Sequence, residues 1–208
     1  MSGQRIAAIL FDLGGVIVEI VGMDRLLRWS RELPDMETMW GRWLASPAVR
    51  SYETGRSSRE TFARDVIEEF GFDVDAATFL AEFARWPRRL YPESAPLLAA
   101  LRGRFRLASL SNTNEIHWDR YEREWALPGL FHANFPSFAV GRIKPDADYF
   151  EHVLGTLGLR PEQALFVDDV QLNVDAAAAV GLVARRAVGP QGVREALREL
   201  DLDAEERT

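Results

Sequence analysis

The chain has 208 residues, 47% of them hydrophobic, and 25 Lys and Arg against 32 Asp and Glu give it a net charge of −7. That length suits one compact domain or one domain with a modest insertion, and the acidity argues against a general nucleic-acid grip, which wants a basic surface. Cys is absent, which excludes disulfides and thiolate metal sites, and no apolar run approaches the ~20 residues needed to cross a bilayer. With no signal-peptide layout at its start, the chain is expected to be soluble and cytoplasmic, with no membrane or nucleic-acid partner.

The first element is the apolar run Ile6 to Phe11, bounded by Asp12-Leu13-Gly14-Gly15. A short continuous run suits a strand buried on both faces, as in a parallel sheet. From about Met23 to Trp86 the spacing turns helical. Leu26, Leu27 and Ser30-Arg31 give way to Pro34, and Met36, Met39, Trp40 and Trp43 then recur at helical intervals. Ser57 to Phe70 reads as a helix with Ser57 or Ser58 at its N-cap. Asp75 to Trp86 reads as another, opened by Asp75. This insert of roughly 60 residues, an ordinary size for a small subdomain, holds four of the six Trp. They are expected to form its own core, with one as a candidate pocket wall. Strand-like runs resume at Phe105 to Leu110, Ala164 to Val167 and Leu182 to Ala184. Helical patterns cover Glu93 to Arg102, Asp146 to Gly155 and Asn173 to Val180. Phe135-Pro136-Ser137-Phe138 reads as a sheet strand or a packed loop. The acidic stretch after Leu200 reads as a frayed, solvated end.

Strands alternating with helices predict an α/β fold, a doubly wound, Rossmann-like parallel sheet with an inserted α-helical subdomain. The division expected is 1–16 and 90–208 for the core and 17–89 for the insert. In such a sheet ligands bind beyond the carboxyl ends of the strands. Polar residues after successive runs should therefore converge: Asp12, Gly14 and Gly15; Ser111, Asn112, Thr113 and Asn114; Lys144 in its loop; and Asp168, Asp169 and Asn173. Three carboxylates can hold Mg²⁺, hydroxyls and backbone N–H groups can hold phosphate oxygens, and a lysine can neutralise both. That set suits phosphoryl transfer on a small-molecule phosphate ester, with a carboxylate as nucleophile.

Phe11-Asp12-Leu13-Gly14-Gly15-Val16-Ile17, Leu110-Ser111-Asn112-Thr113-Asn114, Gly141-Arg142-Ile143-Lys144-Pro145-Asp146 and Phe166-Val167-Asp168-Asp169 followed by Asn173 resemble the four motifs of the haloacid dehalogenase-like superfamily. The insert sits where that family places a small helical cap. Within the superfamily the chain resembles bacterial sugar-1-phosphate phosphatases, which share the Asp-Leu-Gly start and the Ser-Asn-Thr-Asn signature. The resemblance implies that Asp12 is the nucleophile and a Mg²⁺ ligand and that Gly14 offers its carbonyl to the metal. It implies that Ser111 and the Asn112 backbone N–H hold the phosphoryl group, and that Lys144 bridges Asp12 and phosphate. Asp169 would ligate Mg²⁺ directly, and Asp168 from further out or through water.

The chain departs from the family's phosphatase pattern at Gly14, where a second Asp acts as general acid and base. Losing a positioned acid typically forfeits ~10²–10⁴ in rate. Glu19, His117 or a cap residue could replace it, or the leaving group could be a good one, as in a sugar 1-phosphate. Trp40, Trp43, Tyr52, Glu53 and Arg56 are cap candidates for facing the site. Competing readings are a non-catalytic phosphate-ligand or partner-binding domain, a 2-haloacid dehalogenase and a phosphomutase. The acidic pair Asp168-Asp169 beside Asp12 counts against metal-free dehalogenation, because three unneutralised carboxylates repel. Nothing in the sequence reads out an oligomeric state.

Overall fold

The computed structural model describes residues 6–30 and 35–202. The Arg31 and Pro34 expectations, and the acidic end from 203 onward, lie outside the described residues. β1 (Ala8–Phe11) runs into the turn carrying Asp12, and β2 (Val18–Ile20) follows. Five helices come next: α1 (Met23–Trp29), α2 (Met36–Ala45), α3 (Pro47–Glu53), α4 (Arg59–Phe70) and α5 (Ala76–Phe83). β3 (Pro87–Leu90) then returns antiparallel to β2. The remainder alternates: α6 (Ser94–Arg102), β4 (Arg106–Ser111), α7 (Glu115–Arg123), β5 (Ala133–Pro136), α8 (Ser137–Val140), α9 (Ala147–Leu157), β6 (Ala164–Asp168), α10 (Gln171–Ala179), β7 (Val183–Arg186) and α11 (Gly189–Glu199).

Five strands form one parallel sheet in the order β5-β4-β1-β6-β7. Successive side chains point to opposite faces, which explains the unbroken apolar runs. Ile9, Phe11, Leu107, Leu165 and Val167 pack on one face with Leu97, Leu101, Val193 and Leu197 of α6 and α11. Leu10, Ala108, Leu110 and Phe166 pack on the other with Tyr149, Phe150 and Val153 of α9 and Ala177 of α10. The Phe135 segment resolves into an edge strand that stops at Pro136 and a single helical turn beyond it. The expectation of a frayed end does not hold for Leu202: its N–H donates to the Leu197 carbonyl at 2.8 Å, and its side chain packs on the sheet core.

The inserted helices carry their own aromatic core, in which Met39, Trp43, Tyr52, Phe62, Phe70, Phe79, Phe83 and Trp86 are buried. Asp35, Ser46, Ser58 and Asp75 accept from backbone N–H groups at the starts of α2, α3, α4 and α5, satisfying donors that a helix leaves free. The helix expected to reach Trp86 stops at Phe83, because the chain must straighten into β3. That short β2–β3 ribbon, which joins insert and sheet, had no visible sequence signal. Glu19 on β2 pairs there with Arg88 and Arg89 on β3. Among the described residues, no helix is long and apolar enough to cross a membrane.

Candidate active site

Because the five strands are parallel, their carboxyl ends share one edge. β1 lies at the centre, with Phe11 opposite Ser109 of β4 and Val167 of β6. Asp12 therefore emerges between the end of β4, which carries Ser111, and the end of β6, which carries Asp168. The Lys144 ammonium closes the group, 2.8 Å from Asp12 Oδ1 and 2.6 Å from Asp168 Oδ2. Asp12 is 8% exposed, Lys144 3% and Asp168 fully buried.

One oxygen each from Asp12, Asp168 and Asp169 lie within 4.8 Å of one another, and among the described residues Lys144 is the one cation paired with Asp12 and Asp168. Burial pushes the Asp12 carboxyl up to about 7. Lys144 opposes the shift, while Asp168 and Asp169 add to it. Asp169 is raised to about 6 by burial and by Asp168, again against Lys144. Burial disfavours the Lys144 charge, yet Asp12 and Asp168 outweigh it and hold the ammonium protonated well above its usual range. Both oxygens of Asp168 are committed: Oδ1 accepts from Val170 N–H and the Asn173 amide, Oδ2 from Lys144 and the same amide. Asp169 lies against Gly15, whose φ of +73 favours glycine, and a Cβ there would collide with the Asp169 carboxylate.

The Asn112 side chain donates to the Lys144 carbonyl at 3.0 Å and accepts from the Lys144 N–H at 2.9 Å. Two sequence motifs are thereby clamped together. Asn114 caps α7, and Thr113 is tied to Ser137. Ser111, buried at the end of β4, lines the cavity above Asp12.

A cavity of about 310 Å³ opens over these groups. Its floor includes Asp12, Gly14, Ser111, Asn112, Lys144 and Asp169; its far wall comes from the insert, with Trp40, Trp43, Leu44, Val49, Phe83 and Trp86 beside Arg50 and Glu53. Of the five named cap candidates, Trp40, Trp43 and Glu53 line it. Tyr52 instead stacks on Phe62 within the core of the insert, at 4.3 Å between ring centroids, and Arg56 is exposed and does not line the cavity. Sequence reasoning missed Arg50, although it lies one helical turn before Glu53 on α3.

Two of the substitutes for the missing acid are otherwise engaged. Glu19 pairs with Arg89 and Arg88, and the Arg89 hydrogen bond holds its carboxyl below the ordinary range. His117 lines the cavity, but both ring nitrogens are in use, with Asn114 at 3.2 Å and the Phe83 carbonyl at 2.7 Å. The carbonyl can only accept, so Nε2 carries the proton and Nδ1 accepts from the Asn114 amide. Burial then pushes the ring's pKa down to about 4, keeping it neutral.

A family model described as haloacid dehalogenase-like hydrolase matches residues 6–181. A sesquiterpene phosphatase of Aspergillus oryzae is 26% identical over 85% of this chain and 87% of its own length. A D-ribitol-5-phosphate phosphatase of Bacteroides thetaiotaomicron is 22% identical over 80% of this chain and 84% of its own. The crystal structure of a HAD family enzyme from the same organism, in complex with magnesium and inorganic phosphate, superposes with a TM-score of 0.70. It is 22% identical, over 88% of this chain and 94% of that one.

Proposed function

Since the chain belongs to the haloacid dehalogenase-like hydrolase family, we propose that it is a Mg²⁺-dependent phosphatase that hydrolyses a small phosphate monoester through an aspartyl phosphate on Asp12. The observation that carries this reading is the grouping of Asp12, Asp168 and Asp169 around Lys144 at the floor of the cavity. An all-oxygen donor set with surplus negative charge fits a hard divalent cation. Asp12, Asp169 and the Gly14 carbonyl would hold Mg²⁺, and Asp168 would steady the set through Lys144 and Asn173. The bound ion would supply charge neutralisation at the phosphoryl oxygens. The phosphatase names of both relatives, and the magnesium and phosphate in the Bacteroides structure, support the assignment.

In this reading Ser111 and the Asn112 backbone N–H grip the phosphate, and Lys144 offsets charge on Asp12 and substrate together. Asp12 Oδ attacks phosphorus, and the ester oxygen departs. Water then attacks the aspartyl phosphate and frees Asp12. The insert, residues 17–89, acts as the cap that keeps bulk water out and selects the leaving group. Its wall is mostly apolar: among its polar groups Arg50 pairs with Asp146, which leaves Glu53 and the Trp86 indole N–H without a partner among the described residues. That wall favours an apolar leaving group over a polyol, most of whose hydroxyls would be left unpaired.

Phosphate release from a panel of esters, with and without Mg²⁺, tests both levels. Mg²⁺-dependent turnover of prenyl or other apolar monoesters above sugar 1- and 6-phosphates is expected. Preference for the sugar esters would overturn the leaving-group assignment. No release from any ester, with the protein folded, would overturn the phosphatase.

A further inference from the structure

An alkoxide is a poor leaving group unless it is protonated as it departs, and position 14 holds Gly rather than an acid. We propose that Glu53 of the cap supplies this proton and takes one back from water, serving as general acid in the first step and general base in the second. The inference rests on the phosphatase reading above.

Elimination among the cavity's titratable side chains points to Glu53. Asp12 is the nucleophile, Asp169 belongs to the metal group, and Lys144 is bonded to two carboxylates. The nitrogens of His117 are occupied. The two tyrosines, at 91 and 121, have their phenols pushed above their ordinary range by burial. Glu53 lines the same cavity and makes no hydrogen bond or ion pair among the described residues. Burial pushes its carboxyl up to about 7, with Lys144 opposing and Asp12 adding to the shift. A group that exchanges protons at neutral pH works best there.

The local fold holds Glu53 in place. It is the last residue of α3, whose final turn is tied by the Thr54 hydroxyl donating to the Arg50 carbonyl at 2.7 Å. Arg50 pairs with Asp146 on the sheet domain. Gly55, with φ +69, brings the chain against the Phe138 carbonyl so closely that no Cβ fits between them.

The chemistry balances. As Asp12 Oδ bonds to phosphorus, the P–O bond to the leaving group breaks, and its electron pair takes the Glu53 proton to give the alcohol. Water oxygen then bonds to phosphorus while the Glu53 carboxylate takes one water proton. The P–O bond to Asp12 breaks, releasing hydrogen phosphate and restoring the acid.

Glu53→Gln keeps shape and removes only the exchangeable proton. With Mg²⁺ present, turnover of an alkyl phosphate should fall by ~10²–10⁴. p-Nitrophenyl phosphate, whose leaving group departs unassisted, should still give a stoichiometric burst of nitrophenolate. The next turnovers should stall, and intact mass should show a phosphoryl group on the Asp12 peptide. An equal slowing of both esters without a trapped intermediate, or unchanged turnover of the alkyl ester, would overturn the role of Glu53 while leaving the phosphatase intact. A wild-type protein inert toward both esters would sink the phosphatase and Glu53 together.

Discussion

At the strand ends, charged groups sit within hydrogen-bond distance of each other: Lys144 holds Asp12 and Asp168, and Asn173 and Val170 finish Asp168. On the cap side, ring packs on ring, and Trp43 alone touches Phe62, Phe70, Phe83 and Trp86. One wall of the cavity is therefore specified by electrostatics and the other by area removed from water. Changes on the two walls should fail differently: the first in chemistry, the second in stability.

The sharpest contrast comes from Asp12→Asn. It keeps the volume and relieves carboxylate repulsion, so phosphate release should fall by at least ~10³-fold with no loss of melting temperature. Substantial residual turnover, or a destabilised protein, would break the division. Trp43→Ala is the converse. Removing a buried ring should cost about 3–5 kcal/mol, read as a lowered urea midpoint, with the cap's tryptophan fluorescence changing first.

His117 joins the walls, since its ring reaches from α7 to the Phe83 carbonyl at the end of α5. Its folded pKa of about 4 lies below the unfolded value near 6.5. The unfolded chain therefore binds a proton that the folded one refuses. Stability from this group is complete above pH 6.5 and is lost as pH falls toward 4, by roughly 3 kcal/mol at most. His117→Gln should show a flatter melting profile across that window. If wild type and variant lose stability in parallel, His117 is not the acid-sensitive tether. The smallest effect is expected from Arg50→Ala. The pair with Asp146 is half-exposed, so stability should change by less than about 1 kcal/mol. KM should rise more than kcat falls if the contact helps seat the cap.

The strand-end wall was legible because a residue that must follow a buried strand follows a visible apolar run. Asp12, Ser111, Asp168 and Asp169 all do so, and the parallel sheet then brings them together. Lys144 was less legible, since no strand precedes it directly: its loop before a helix suggested it, and its contact with Asp12 was implied by the resemblance to a motif. The cap wall was legible as helices and as aromatic content, through Met36, Met39, Trp40 and Trp43. Which faces turn inward was not, because a helix of seven residues such as α3 shows too little periodicity to fix its roll. The engagement of His117 was equally hidden. Its key partner is a backbone carbonyl, and any residue at position 83 would have offered one. The β2–β3 ribbon escaped notice because three or four residues give no alternation to read.

The reciprocal amide clamp between Asn112 and Lys144 ties two distant stretches of sequence to each other. Asn112 reads only the main chain of Lys144, so the side chain at 144 is free of that clamp, while the amide at 112 is not free to change. Asp at 112 would keep the acceptor and lose the donor, adding a fourth carboxylate to a site already short of positive charge. Drift at position 112 is thus constrained by a loop 32 residues downstream, and the two motifs should tolerate exchange between relatives only as a pair.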